Sequence, residues 1–322
     1  MAANLGEVAQ EPRVTVKTFD RSLEPRLLSM LEEAARAGWW RDVLEDGDLI
    51  VALRGRSVNV YWKGQSLFRV EAGPGAIRAT THEKYLLDPR LGGQIAFDGS
   101  CFDVAKLEAK AFLRDYESHG SLKRMKRAAA IYSGEEKTGC HLIAVANPQV
   151  IDVEIAFPGT VEGDVPGNDV TTPRIDLLEL EAFGDTGARL VFWEAKTFGN
   201  PELGSSRSSQ DAPVLAQIAT YRTILEAYRG DLEASYTRLC TDLRRMRAAA
   251  GQKVDPIVEA VADGRRQLTL GDTPKVNLLV FGFDAAQKDH DGWKRHSATL
   301  NSALAAHGAR MRAVGDPKGK RL

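Results

Sequence analysis

The sequence predicts a mixed α/β protein of the α+β class, and three observations lead to this fold class. Three segments rich in branched and aromatic residues follow each other closely, and they begin at Val150, Arg174 and Ala188. The run Gly-Asp-Thr-Gly at residues 184–187 is typical of a tight hairpin between the second and third segments. Segments with helical spacing lie on both sides of them. The pattern therefore predicts an antiparallel meander of three strands accompanied by helices.

The N-terminal part of the chain predicts a small α+β module. Residues 23–37 have the apolar spacing of a helix, and the sequence from Asp48 indicates three short strands joined by glycine-containing turns. Aromatic and basic side chains are interleaved along these strands, a mixture that suits contact with a nucleic acid strand but also suits an amphipathic sheet. We expect residues 1–95 to form this module, of unknown role, and residues 96–322 to form a second domain with a basic C-terminal tail.

Two helices are predicted ahead of the meander, at residues 102–118 and 121–132. In the first helix, Val104 and Phe112 belong to an apolar stripe, yet Glu108 lies four residues from both. A carboxylate on a buried face needs a partner because an unpaired buried charge is costly. A salt bridge to a neighbouring Arg or Lys would supply that partner, and so would a metal or catalytic centre. The spacing leaves both readings open.

Beyond the meander, the chain predicts one more helix and one more strand. A loop rich in glycine and serine precedes a helix at about residues 212–228. The apolar run VNLLVFGF from Val276 then indicates a buried strand, and a final helix precedes the basic tail. The predicted order is therefore helix, three strands, helix and strand.

The composition limits the classes of function. The 322 residues include 43 basic and 44 acidic side chains, for a net charge of −1, so any contact with a polyanion must be local. The three cysteines show no metal-ligand spacing and leave one over in any disulfide scheme, which favours a reducing cytoplasm. No apolar run approaches the ~18 residues of a membrane span. We expect a cytoplasmic protein that is neither secreted nor inserted in a membrane.

The third strand of the meander carries the residues that point to chemistry. Alternation along a strand places Glu194 and Lys196 on one face, about 7 Å apart. The hairpin returns the chain so that Asp176, on the preceding strand, can lie beside Glu194. Two carboxylates can hold Mg²⁺ for hydrolysis of a phosphodiester, and the ammonium can orient the attacking water or offset charge on the phosphoryl oxygens. This set therefore predicts a phosphodiester-cleaving centre.

This arrangement resembles the core of the PD-(D/E)XK nucleases, which have a restriction-endonuclease-like αβββαβ fold. Asp176 matches the acidic position of the second strand, and Glu194-Ala195-Lys196 matches the (D/E)-x-K of the third strand. The resemblance makes Glu108 a candidate for the additional helical acid of many members, and Glu154 competes for a related supporting role. It covers residues 102–284 and implies that Asp176 and Glu194 bind the metal.

A second likeness follows on the next helix. Gln217 and Tyr221 form the Gln-x-x-x-Tyr pattern that follows the lysine in RecB-like members, and the two lie on one helical face. In this reading Gln217 points at the metal-bound water or a substrate phosphate, and Tyr221 braces the site or touches the strand. One departure is that Pro173 precedes Asp176 by three residues instead of one. The departure weakens the motif and leaves the chemistry intact.

The resemblance implies a Mg²⁺-dependent nuclease, with Mn²⁺ as a substitute, that acts on DNA in repair, restriction or defence. It implies a cytoplasmic hydrolase with Asp176, Glu194, Lys196, Gln217 and Tyr221 at its centre. The near-neutral charge adds the expectation of a homo-oligomer or a protein partner, and no membrane is expected. Two alternatives stay open, a catalytically silent nucleic-acid-binding or scaffold protein of the same fold, and an RNA-directed or partner-dependent nuclease.

Overall fold

The computed structural model is a mixed α/β molecule with two β-sheets, which confirms the predicted class. Each helix and strand buries an apolar face against its neighbours. The structure describes residues 18–86, 94–103, 115–157, 173–204 and 212–322.

The N-terminal sheet contains five antiparallel strands in sequential order. Two helices precede it, α1 (Pro25–Ala34) and α2 (Trp39–Glu45). Glycines with positive φ at Gly55 and Gly64 form the first two turns, where a residue without Cβ carries the least strain. The three predicted strands are confirmed, and two more extend the sheet past residue 95. The strands are β1 (Ile50–Leu53), β2 (Ser57–Trp62), β3 (Gln65–Ala72), β4 (Ile77–His82) and β5 (Gln94–Phe97).

Aromatic rings fill the space between α2 and this sheet. Trp39 packs edge-on against Phe97 with ring centroids 5.1 Å apart, and Phe68 stacks on Phe97 at 5.5 Å. Trp40 is fully buried. Aromatic pairs of this kind add about 0.5–1.5 kcal/mol each beyond the burial of their area. These rings belong to an apolar core that continues without a break into the second sheet.

Two helices, α3 (His119–Ala130) and α4 (Glu135–Ala146), come before the second sheet. The helix predicted at 121–132 corresponds to α3. The helix predicted at 102–118 is wrong at its described ends, because Phe102 and Asp115 each form an isolated bridge of antiparallel type. Residues 104–114, with Glu108, lie outside the described residues. The helix that directly precedes the first strand of the meander is therefore α4.

The second sheet contains the predicted meander, with β7 between β6 and β8 in antiparallel pairing. The predicted hairpin is confirmed, since Phe183 pairs with Gly187. Strands β10 and β11 continue the sheet beside β8 in parallel orientation, and β9 pairs with the start of β8. Its strands and helices are β6 (Val150–Ala156), β7 (Arg174–Phe183), β8 (Gly187–Thr197), α5 (Pro213–Ala227), α6 (Arg229–Ala249), α7 (Pro256–Ala262), β9 (Gln267–Thr269), β10 (Lys275–Phe281), α8 (Ala285–Asp289), α9 (Asp291–Ala305) and β11 (Met311–Gly315).

Helices cover both faces of the second sheet. On one face α4 contacts β6, β7 and β8, and Trp193 and Ala195 of β8 cluster there with Ile143 of α4. On the other face α5 packs against β10. Because side chains alternate along β8, Glu194 and Lys196 point to the opposite face from Trp193 and Ala195, which is the side of α5.

A buried charge network joins the N-terminal sheet to the second sheet. Asp152 of β6, whose side chain is 0% exposed, accepts from Arg54 Nη1 at 2.6 Å and from Tyr236 Oη at 2.9 Å. Arg21 Nε lies 3.4 Å from the same carboxylate. Two cations and a hydroxyl therefore surround this single carboxylate, which makes the network a fixed joint between the sheets.

The segment before α1 is attached to α6. The backbone N–H of Phe19 donates to Asp231 Oδ2 at 3.0 Å, and that of Leu23 donates to Asp242 Oδ2 at 2.8 Å. Between them, the N–H of Arg21 donates to Ser235 Oγ at 2.7 Å. These bonds lie one after another along α6 and hold the segment along the helix.

Within the described part of the chain, no helix combines the length and the apolar character that a membrane crossing requires.

Candidate active site

The register of β7 and β8 brings Asp176 next to the end of β8. Leu177 pairs with Trp193, so Asp176 and Glu194 occupy the next positions of the two strands. The backbone N–H of Ala195 donates to Asp176 Oδ2 at 2.8 Å. A carboxylate side chain thus takes over a backbone donor of β8, and this bond fixes Asp176 beside the Glu-x-Lys segment.

Glu194 and Lys196 form a buried ion pair on the face of α5. Lys196 Nζ lies 2.7 Å from Glu194 Oε1, and the two side chains are 3% and 7% exposed. A second carboxylate, that of Glu202 in the short 3₁₀ helix Pro201–Leu203, lies 2.6 Å from the same Nζ. Lys196 is therefore held between one buried and one half-exposed carboxylate.

The negative charges of the acids at this site are poorly compensated by nearby cations. Burial raises the pKa of Asp176 well above its usual range, and the nearby charge of Glu194 raises it further. Burial also raises the pKa of Glu194 to about 7, although Lys196 partly opposes this shift. Burial alone would lower the pKa of Lys196, but the attraction of Glu194 outweighs it and the pKa lies above its usual range. The site thus holds a charged lysine and an excess of carboxylate.

Gln217 and Tyr221 connect α5 to this site. Gln217 Nε2 donates to Tyr221 Oη at 2.8 Å, and Tyr221 Oη donates to the backbone carbonyl of Arg174 at 2.9 Å. Arg174 is the first residue of β7, two positions before Asp176. The prediction that Tyr221 touches the strand is confirmed, and the pair fixes the position of α5 relative to the first acid.

Apart from Glu202 Oε2, which is ion-paired with Lys196, two buried acceptors in the site lack a hydrogen-bond partner among the described residues. They are Glu194 Oε2 and Gln217 Oε1. A buried acceptor without a partner costs about 1–3 kcal/mol, and more when it is charged. Oxygen ligands of this type are those that Mg²⁺ prefers. Free acceptors beside two carboxylates with raised pKa values fit a bound divalent cation, which would offset both costs.

Two acidic residues of the site were missed by sequence analysis. Glu136 lies in the first turn of α4, its Oε2 accepts from Asn200 Nδ2 at 3.0 Å, and its charge contributes to the raised pKa values of Asp176 and Glu194. Glu202 contacts Lys196. The position of Glu136 could have been found by asking which helix immediately precedes the first strand of the meander. Nothing in the sequence pattern marked Glu202.

The two supporting acids of the sequence analysis have different outcomes. Glu154 lies on β6 with a positive φ of 51°, and its carboxylate pairs with Lys137 at 3.6 Å and with Arg174 at 3.2 Å. These two cations already neutralise Glu154, so its role as a metal ligand stays a prediction. Glu108 lies outside the described residues.

A separate group of possible metal ligands lies in a different part of the fold. Asp42, Glu45 and His119 each place one ligand atom within 4.8 Å of the others. No other group of three or more His, Cys, Asp or Glu side chains in the described ranges meets this distance. Asp42 is already engaged by Tyr116 Oη at 3.1 Å and Ser118 Oγ at 3.0 Å. These hydrogen bonds and the exposure of Glu45 and His119 account for the group without an ion.

Comparisons with known proteins do not assign a family. No protein-family model, no curated protein and no solved structure gave a significant match to this chain. The function of the site therefore has to be inferred from its own geometry and chemistry.

Proposed function

We propose that this protein is a metal-dependent nuclease that hydrolyses phosphodiester bonds in DNA, with a PD-(D/E)XK type of active site. The observation that carries the proposal is the buried pair of Glu194 and Lys196 with Asp176 fixed beside it. Ion pairs of this kind are costly to bury and add little to stability. A buried pair at the end of a strand, with a free carboxylate oxygen next to it, is better accounted for by chemistry than by packing.

The order of elements supports the same proposal. Helix α4, the meander β6–β8, helix α5 and strand β10 follow one another as helix, three strands, helix and strand, which is the order that the resemblance implies. Helices α6 and α7 and the short β9 are insertions between α5 and β10. The Glu-x-Lys segment, the Gln-x-x-x-Tyr helix and the acid of the second strand all meet at one end of this unit.

In this proposal Asp176 and Glu194 hold the cation, with Glu136 as the candidate third acid. When bound, Mg²⁺ supplies charge neutralisation and lowers the pKa of a water molecule. Lys196 is already positioned by Glu194 and Glu202, so it offsets the charge that develops on the phosphoryl oxygens without reorganisation. We assign Gln217 Oε1, which faces no protein donor among the described residues, to the attacking water or to the cation.

The surroundings of the site suit a phosphate backbone. Lys137 and Arg174 are about half exposed, at 50% and 54% of their side chains, and both pair with Glu154 close to Asp176. Together they carry one positive charge more than Glu154, so a local positive charge is left for contact with a polyanion although the net charge of the chain is −1. DNA as the substrate, and repair, restriction or defence as the setting, come from the resemblance.

The test is cleavage of supercoiled plasmid and of labelled single-stranded DNA and RNA, with Mg²⁺, Mn²⁺ or chelator. We expect metal-dependent cutting by the wild type and a loss of at least about a hundredfold in Lys196→Met, because a charge that stabilises the transition state is removed. Lys275→Met is the matched control. Lys275 lies in the same sheet and is ion-paired with Glu181 at 2.9 Å, far along the strand from the site.

Two results would contradict the proposal. Cutting that survives unchanged in Lys196→Met would exclude the lysine from the chemistry. Metal binding without any cutting of DNA or RNA by the wild type would favour the catalytically silent binding protein instead.

A further inference from the structure

A cavity of about 240 Å³ lies where the two sheets meet, away from the candidate active site. Residues of β1, of the last turn of α4, of the start of β6 and of α6 and α7 form its wall. Val150 in this wall pairs with Glu179, about 10 Å along β7 from Asp176. A cavity of about 150 Å³ holds a benzene ring, and about 300–1,000 Å³ are usual for drug-sized ligands, so this cavity suits a small molecule.

One side chain of the wall is a partly buried cation without an anion. Arg247 has no carboxylate partner among the described residues, and burial lowers its pKa. Arg54 provides the contrast. Burial alone would lower the pKa of Arg54, but the charge of Asp152 outweighs it and the pKa lies above its usual value. An unpaired charge in such a place is costly, and a bound anion would offset the cost at Arg247.

The guanidinium of Arg247 is held at one nitrogen and free at the other two. Nη1 donates to Leu44 O at 2.6 Å and to Gln252 Oε1 at 2.8 Å. Nε and Nη2 donate to no described residue, and neither is shut off from solvent. Their N–H groups lie side by side on one edge of the planar group, which is the geometry that binds both oxygens of a carboxylate. The bonds of Nη1 orient this edge before a ligand arrives.

The charges around the cavity leave a single positive charge in excess. Asp46 is neutralised by Lys126, whose Nζ lies 2.6 Å from its Oδ2. Asp255 caps the start of α7. Lys253 is exposed and pairs with no acid in the described part of the chain. Arg247 and Lys253 together therefore carry one positive charge more than Asp255, which suits a ligand with one negative charge.

Most of the remaining wall is apolar. Several of its side chains are only partly buried, and they are Ile50, Val145, Val150, Leu243 and Val254. Covering them removes apolar surface from water, which favours binding. The cavity thus combines one oriented cation with apolar surface, and a matching ligand needs an anionic group and an apolar body.

We propose that this cavity binds a small organic carboxylate, whose two oxygens accept from Nε and Nη2 of Arg247 while its apolar body covers the partly buried wall. The carboxylate carries the one negative charge that the wall lacks, whereas a phosphate monoester carries up to two. This inference goes beyond the proposed nuclease function, because it assigns a second ligand site in a different part of the fold.

The test measures binding to the full chain by isothermal titration calorimetry at pH 8, in chelator. Hydrocinnamate, a phenyl ring on a short carboxylate chain, is the probe. Hydrocinnamamide keeps the apolar body without the charge, acetate keeps the carboxylate without the body, and phenethyl phosphate replaces the head group. We expect the amide and acetate to bind at least about tenfold more weakly than hydrocinnamate, since each lacks one of the two contributions. Phenethyl phosphate should bind no more tightly than hydrocinnamate.

The variant Arg247→Lys tests the guanidinium edge. Lysine keeps the positive charge but offers no pair of parallel donors, so we expect hydrocinnamate to bind about tenfold more weakly. Arg245→Lys is the matched control. Arg245 lies two residues earlier on α6 and is bidentate to Glu32 at 2.8 and 2.9 Å, so this variant should keep the wild-type affinity. Lys253→Met should weaken binding only about two- to threefold, because the lysine is exposed.

Methyl NMR of the wild type gives the location of the ligand, including the case in which Arg247→Lys fails to fold. The methyl resonances of Leu243 and Val254, both in the cavity wall, should shift on titration with hydrocinnamate. Those of Leu203, next to Glu202 at the candidate active site, should stay unchanged.

Three results would overturn the carboxylate site. They are equal affinity for hydrocinnamate and its amide, tighter binding of the phosphate, and unchanged affinity in a folded Arg247→Lys variant. Shifts at Leu203 without shifts at Leu243 would do the same, because they move the ligand to Lys196. None of these measurements depends on cleavage, so the site stands or falls separately from the proposed nuclease.

Discussion

Two buried carboxylates in the second sheet, those of Asp152 and Glu194, are neutralised to different degrees by their neighbours. Asp152 is surrounded by Arg21, Arg54 and Tyr236, with contacts to both of its oxygens. Glu194 has one cation on Oε1 and no hydrogen-bond partner on Oε2 among the described residues. A carboxylate that only joins two parts of a structure is stabilised by complete neutralisation. The incomplete neutralisation of Glu194 is what a site for a cation requires.

The largest expected effect is on the joint. Asp152→Ala leaves Arg21 and Arg54 without their anion in a buried place, and we expect the free energy of unfolding to fall by about 3–5 kcal/mol. Glu194→Gln should cost less than about 1 kcal/mol in chelator, because it removes a poorly compensated charge. Urea denaturation of both variants measures the difference. Glu33→Ala, which breaks an exposed pair with Arg36, is the control for a simple ion pair and should have no measurable effect. Equal losses in Asp152→Ala and Glu194→Gln would contradict the comparison.

A third buried ionisable group, His141, is not neutralised by a partner; burial instead favours its uncharged form. His141 of α4 is 4% exposed, and burial lowers its pKa from the usual 6.5 to about 4. Between these two pH values the unfolded chain binds more protons than the folded chain. The contribution of His141 to the free energy of unfolding is therefore largest above about pH 6.5 and is lost as the pH falls towards 4. We expect His141→Gln to remove up to about 3 kcal/mol of this pH dependence. Unfolding free energies from pH 4 to 8 measure it, and parallel curves for wild type and variant would contradict it.

The smallest expected effect distinguishes the two places where a cation could bind. One is Asp176 with Glu194, and the other is Asp42 with Glu45 and His119. If Mg²⁺ binds at Asp176 and Glu194, tenfold excess over Kd should stabilise the wild type by about 1.4 kcal/mol. Calorimetric melting with Mg²⁺, at ionic strength matched with NaCl, should show this rise in Asp42→Asn and no rise in Asp176→Asn. The reverse result would move the cation to Asp42, Glu45 and His119.

The parts of the site that sequence analysis predicted are those set by local rules. The period of two along a strand places Glu194 and Lys196 on one face, and the tight turn at 184–187 fixes the register that brings Asp176 beside them. The spacing of four residues on a helix does the same for Gln217 and Tyr221. These relations depend on a few consecutive residues, so the chain's pattern contains them.

The parts that were missed depend on contacts between distant segments. Glu136 reaches the site because α4 docks on the meander, whereas the acid predicted from the sequence, Glu108, lies on an earlier segment. At the joint, Asp152 contacts Tyr236, which lies 84 positions later in the chain, and Arg54, which lies 98 positions earlier. No periodicity records such a pairing, because each partner looks like an ordinary charged or aromatic residue in its own element.

The attachment of the segment before α1 to α6 has a consequence for synthesis. Leu23 and its acceptor Asp242 are 219 residues apart. At roughly 5–20 residues per second, about 10–45 s pass between the emergence of the two from a ribosome. During that interval Phe19, which is 2% exposed in the finished protein, has no helix to cover it. A segment that is made early is thus among the last to find its place, and the nascent chain carries an uncovered aromatic residue until α6 has been translated.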